Sequence, residues 1–124
     1  MKWDAKSDIE KSFADQVLRY RLPHYEREYQ FALDVKRKWR LDFYFPEYRL
    51  AVELHGLIVV NGPAGQGIVR GGHATPKGMR NDMDKLNAMA ILKITPLVFS
   101  QSHVDNGDAI AVTQRALVVK GWKR

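Results

Sequence analysis

Apolar residues near the start of the chain return at helical spacing. Ile9, Phe13 and Val17 recur every four positions, which predicts an amphipathic helix from Ser7 to Tyr20 with one buried stripe. Ser7 can cap its start, Asp8 and Glu10 suit the dipole in the first turn, and Pro23 ends it. The period then changes to two. Glu28 to Leu33 reads as a first strand, and a charged stretch runs from Asp34 to Arg40. Leu41, Phe43 and Phe45 then alternate with Asp42 and Tyr44, the pattern of a half-buried strand. Pro46, Glu47 and Tyr48 make a tight connection to a strand from Leu50 to Leu54. Its even positions face one way, and Ala51, Glu53 and His55 face the other. Seven of the nine glycines fall between Gly56 and Gly78 with Pro63 and Pro76, so residues 56–78 read as one long loop.

Helical spacing returns from Asn81 to Leu92, with Met83, Leu86 and Ala90 or Met89 facing inward. Leu97 to Phe99 is a short strand, and Pro96 marks its start or an edge. Asp105 or Asn106 can cap a last helix over about 106–119. The order α-β-β-β-α-β-α predicts an α/β (α+β) fold. With 124 residues the chain suits one domain, its core over about 7–100.

A composition of 45% hydrophobic, 27% charged and 10% aromatic residues argues against disorder. No apolar run approaches the roughly 18 residues of a membrane span, so no membrane partner is expected. The polar start at Met1 lacks a secretory pattern, and the absence of cysteine excludes disulfides, thiolate metal sites and a cysteine nucleophile. An intracellular protein is expected. Lys and Arg number 20 against 14 Asp and Glu, a net charge of +6 that attracts polyanions. An incidental surplus of cations would give the same number.

Chemistry enters with Asp42 and Glu53. If their strands form an antiparallel hairpin, Asp42, Glu53 and His55 meet on one face. Converging carboxylates repel unless a cation or a proton lies between them, and oxygen ligands suit Mg²⁺ or Mn²⁺. A solvated acidic face on an ordinary strand is the plain alternative.

The stretch from Arg40 to Gly56, RLDFYFPEYRLAVELHG, resembles the core motif of the PD-(D/E)XK nuclease superfamily. It is closest in style to the branch of very-short-patch-repair endonucleases and small phage-encoded nucleases. His73 to Asn87, HATPKGMRNDMDKLN, resembles the loop and helix that follow the motif in the phage proteins. The match covers roughly Ser7 to Phe99 and implies a restriction-endonuclease-like core, a central mixed sheet flanked by helices. It also implies hydrolysis of phosphodiester bonds in DNA, with Asp42 and Glu53 holding Mg²⁺ or, in its place, Mn²⁺. Leu41 stands where the family name has proline, and His55 stands where a lysine is usual. His55 can serve as base or hydrogen-bond donor, or can contact the metal. Lys85 can supply the missing ammonium or simply pair with Asp82 three residues earlier. Glu10 can lean toward the metal, as a first-helix glutamate does in such nucleases, or serve only the helix dipole. Gln101 is a weaker candidate.

Lys36, Arg37, Lys38 and Arg40 lie just before Asp42, and His73, Lys77 and Arg80 lie around the start of the second segment. These cations are expected to bind DNA phosphates. Trp39 can stack on an unpaired base or pack internally, and Lys120 to Arg124 with Trp122 adds a basic, aromatic tail. One small domain has no room for a separate sequence-reading module. Branched DNA is therefore the expected substrate, with a Holliday junction first and a homodimer needed to cut it symmetrically. The resemblance implies a role in DNA recombination or repair in the cytoplasm of a bacterium or phage-infected cell. A non-catalytic DNA-binding accessory protein, suggested by His55, and an RNase are the alternatives.

Overall fold

The computed structural model describes residues 5–32, 37–55, 58–62, 65–69 and 76–124; for 5–7, 58–62 and 65–69 the description is of the backbone. The elements in chain order are α1 (Ala5–Arg19), β1 (Glu26–Gln30), β2 (Arg40–Phe45), β3 (Leu50–His55), β4 (Ile58–Gly62) and β5 (Gly65–Val69). They continue with α2 (Pro76–Ile91), β6 (Thr95–Ser100), α3 (Gln101–Asp105) and α4 (Asp108–Val119). The architecture is mixed α+β. A four-stranded sheet has the order β1-β2-β3-β6, and β4 and β5 form a separate two-stranded hairpin. β2 is antiparallel to both β1 and β3, whereas β6 runs parallel to β3 after the crossover through α2. The start of β2 therefore lies beside the ends of β3 and β6. Among the described residues no helix is long and apolar enough to cross a membrane.

Several boundaries differ from those read in the sequence. α1 begins at Ala5, which puts Ser7 inside the helix instead of at its cap. β1 begins and ends earlier than Glu28 to Leu33, and Leu33 lies outside the described residues. The 56–78 stretch is not one loop. The β-branched runs at Ile58–Val60 and Ile68–Val69 pair as a hairpin, a strand signal outweighed in the reading by the glycines around it. The parts of that stretch at 56–57, 63–64 and 70–75 lie outside the described residues. α2 starts at Pro76, because proline fits the first helical position, where no N–H is needed. The C-terminal helix read at about 106–119 is α4, and a further short helix, α3, precedes it, the two separated where Gly107 takes a left-handed φ of 88°.

The sheet is covered on both faces. On one, Ile9, Phe13 and Val17 of α1 pack with Phe43, Phe45, Leu50, Val52, Leu54 and Phe99, joined by Val104, Ala109, Ile110 and Leu117 from α3 and α4. Phe13 meets Phe43 edge-on at 5.0 Å. The tail residue Trp122 packs against this cluster. On the other face Phe31, Leu41, Tyr44, Ala51 and Ile94 lie with Met89 of α2. Met89 is buried, while Met83 and Leu86, expected to face inward, are exposed. The inward positions of α2 are instead Lys85, Ala88 and Met89, with Leu92 just beyond its end.

Leu41 also departs from strict alternation, which would place it with Phe43 and Phe45. It joins Tyr44 and Ala51 in the second cluster, so the side-chain phase of β2 changes at Asp42. On β1, the pairs Arg27↔Phe43 and Tyr29↔Leu41 bracket Glu28 and Asp42, and Glu28 has a left-handed φ of 51°. Both strands change course at this one level, the level of the acidic residues.

Phe13→Ala removes the aromatic that joins α1 to β2. It should cost about 3–5 kcal/mol in urea unfolding, a large share of a small domain's stability. A loss under 1 kcal/mol would mean that α1 is not anchored there.

Candidate active site

Among the described residues three carboxylates are buried: Glu10, Asp42 and Glu53, which are 8%, 4% and 6% exposed. All three were read from the sequence as site residues, and the fold gathers them around the start of β2. Backbone pairing between β2 and β3 runs from Phe45↔Leu50 to Phe43↔Val52. Beyond that point side chains take over the backbone donors. The Asp42 N–H donates to Glu53 Oε2 at 3.2 Å, and the Leu54 N–H donates to Asp42 Oδ2 at 2.7 Å. Each carboxylate thus satisfies a buried donor on or beside the other's strand, fixing both side chains relative to the sheet.

Lys85 reaches this pair from α2. Its ammonium donates to Glu53 Oε1 and, at 2.7 Å, to the carbonyl of Arg40. The Lys85 ammonium thus stands beside the Asp42–Glu53 pair. Burial pushes the Glu53 carboxyl up to about 7. The Lys85 ammonium opposes that rise, and the Asp42 carboxylate adds to it. Desolvation outweighs the ion pair.

On the other side of Asp42 stand Glu10 and Glu28. One oxygen from each of Glu10, Glu28 and Asp42 lies within 4.8 Å of the other two. Glu10 reaches this group from α1. The Arg27 guanidinium stands 3.9 Å from Glu10 Oε1 and 4.4 Å from the centre of the Phe43 ring, supplying positive charge beside the carboxylates. Glu28 and Arg27 were missed as site residues. The signal that finds them is register: β1 pairing carries Glu28 to the level of Asp42, and a strand begun at Glu28 leaves Arg27 out altogether. All the oxygens are carboxylate, a donor set that fits Mg²⁺ or Mn²⁺ and not a soft metal. Asp42 is the shared member, with Glu53 on one side and Glu10 and Glu28 on the other.

His55 ends β3, half-buried, in register with Ser100. Gln101 begins α3, and its amide donates to Asp105 Oδ1 at 2.7 Å, an intrahelical role. Trp39 stacks on Phe31 and donates to Asn81 Oδ1 at 3.2 Å. That bond brings the exposed Arg37, Lys38 and Arg40 beside the N-terminal half of α2, which carries the exposed Lys77 and Arg80. Cations from two distant segments are therefore carried by neighbouring parts of the fold. Lys36 and His73 lie outside the described residues.

A raised Glu53 pKa makes stability depend on pH in a defined direction. The folded state holds a proton on Glu53 that the unfolded state, at about 4.5, has released, so this contribution to stability falls as pH rises from about 4.5 to about 7. Thermal unfolding in EDTA should show that decline, and Glu53→Gln should flatten it. A wild-type slope unchanged by the substitution would remove Glu53 as its source.

Comparison with protein-family models, curated proteins and solved structures finds no match for this chain, so the reading of the site rests on its own residues.

Proposed function

We propose that this protein is a divalent-metal-dependent DNA endonuclease on a restriction-endonuclease-like core of the PD-(D/E)XK type. The observation that carries the reading is the meeting of Asp42, Glu53 and Lys85. Where the family motif has a lysine two positions after the glutamate, this chain has His55, and an ammonium arrives at Glu53 from a neighbouring helix instead. A cation would be held by Asp42 with Glu53, or with Glu10 and Glu28, residues gathered where the start of β2 adjoins the ends of β3 and β6. When bound, Mg²⁺ or Mn²⁺ supplies an activated water and offsets charge on the phosphate.

The chain's own residues do the rest. Lys85 holds Glu53 in place and presents positive charge where a phosphate gains negative charge on attack. Arg37, Lys38, Arg40, Lys77 and Arg80 bind the backbone of the nucleic acid without reading sequence. His55 acts at the rim as a donor or proton carrier. The favoured substrate is branched DNA, a four-way junction first. Symmetric cutting of that substrate requires two copies of the chain related by a two-fold axis, and the expected setting is DNA recombination or repair in a bacterial or phage-infected cell.

The test is cleavage of labelled linear duplex, flap and four-way-junction DNA in Mg²⁺, Mn²⁺ or EDTA, with single-stranded RNA as a further arm. Cutting should require the metal. Glu53→Gln and Asp42→Asn should each reduce it at least about 100-fold while leaving binding in place. Lys85→Met should cost more activity than His55→Ala if the helix ammonium fills the lysine role. Binding without cutting under every metal would move the reading to a DNA-binding accessory protein, and cutting of RNA alone would make it an RNase.

A further inference from the structure

Lys85 is engaged at Glu53, whereas Arg27 stands beside Glu10, and the proposed chemistry gives Arg27 no task. β1 is an outer strand of the four-stranded sheet, and Arg27 pairs in register with Phe43, the residue after Asp42. Within the group of Glu10, Glu28 and Asp42, Glu10 and Asp42 are buried and Glu28 is exposed. The group therefore meets solvent along β1, where the exposed Arg27 and Glu28 are adjacent residues. A phosphate that approaches these carboxylates past Glu28 meets the Arg27 guanidinium.

Two contacts fix where the guanidinium sits. It lies 4.4 Å from the centre of the Phe43 ring, whose face attracts a cation, and Phe43 is fully buried in the core. Its Nη2 stands 3.9 Å from Glu10 Oε1, beyond hydrogen-bond length. The ring contact does not depend on the carboxylates, so Arg27 keeps its place when Glu10 serves another cation. The Arg27 side chain is 41% exposed, which leaves it within reach of a ligand from solvent. A guanidinium has five N–H donors in a rigid fork, a match for two oxygens of a phosphate. Its charge acts in two directions. With the carboxylates alone it offsets their mutual repulsion, and beside a bound divalent cation it repels that cation.

We propose that Arg27 is a phosphate-binding residue of the nuclease site. It offsets the charge of Glu10, Glu28 and Asp42 until a divalent cation binds there, and then takes the non-bridging oxygens of the phosphate under attack. The inference rests on the nuclease reading and deepens it. Negative charge grows on those oxygens during attack, so the Arg27 N–H groups bind the transition state more tightly than the ground state. A counter-ion with a structural role only makes the opposite prediction for the metal. Its loss would leave the buried carboxylates repelling one another and weaken metal binding. Loss of the proposed Arg27 removes a competitor for the carboxylates, so metal binds more tightly while cleavage slows.

The test measures Mn²⁺ affinity and cleavage on the same variants. Electron paramagnetic resonance of free Mn²⁺ reports metal binding without DNA, and single-turnover cutting of the best-cut DNA substrate is followed at saturating metal. Arg27→Met keeps an apolar stem over Phe43 and removes the charge. It should bind Mn²⁺ about fivefold more tightly and cut about 100-fold more slowly, with DNA affinity in EDTA changed less than about threefold. Arg27→Lys should keep the wild-type Mn²⁺ affinity and recover only part of the cutting, because an ammonium carries charge without the fork. Thermal unfolding checks each variant, and Arg27→Gln replaces Arg27→Met if the latter does not fold. Mn²⁺ affinity that fails to rise in the uncharged variant, or cleavage slowed less than about tenfold, overturns the assignment while metal-dependent cutting by the wild type still stands. A wild type that neither binds Mn²⁺ nor cuts overturns the nuclease reading together with this one.

Discussion

Glu53 is held by two hydrogen-bond donors that come from different parts of the fold, the Lys85 ammonium on α2 and the Asp42 N–H on β2. The carboxylate is buried, so leaving either side of it unmatched would be costly, and the two elements are drawn to β3 by that need. Lys85 also takes the Arg40 carbonyl, closing the start of β2 against the helix. Asp42 completes the arrangement by accepting from the Leu54 N–H. The consequence for the fold is that the carboxylates replace backbone pairing where β2 and β3 part, and the sheet opens at that end with the Asp42 and Leu54 N–H groups still bonded.

Much of the surrounding architecture follows from keeping those charges inside. α2 presents Lys85, Ala88 and Met89 inward and leaves Met79, Met83 and Leu86 exposed. A helix oriented by apolar burial alone would have turned the methionines in. The phase change of β2 at Asp42, matched on β1 by the left-handed backbone of Glu28, sends Leu41 to one face and Phe43 to the other. A left-handed glutamate carries a conformational cost of about 1–2 kcal/mol, which its neighbours on β2 must offset. The result is a third carboxylate beside Asp42 and Glu10.

Arg37, Lys38 and Arg40 before and at the start of β2 and Lys77 and Arg80 on α2 belong to two segments tied by the Trp39–Asn81 bond. In the proposed function these cations bind the backbone of a nucleic acid whatever its sequence.

Sequence alone determined the α1 stripe of Ile9, Phe13 and Val17, the hairpin of β2 and β3, and the pairing of Asp42 with Glu53 across it. Each of these depends on a local period or on a short connection, and a local period is a property of the chain itself. The glycine count hid the β4–β5 hairpin, because composition outweighed the β-branched runs within it. Tertiary structure alone decided that Lys85 turns toward Glu53, that Glu28 and Arg27 join the site, and that Leu41 leaves the face of Phe43. When both faces of a sheet are buried, alternation no longer says which face a residue chooses. The choice falls to partners dozens of residues away, through the cost of an unmatched buried charge.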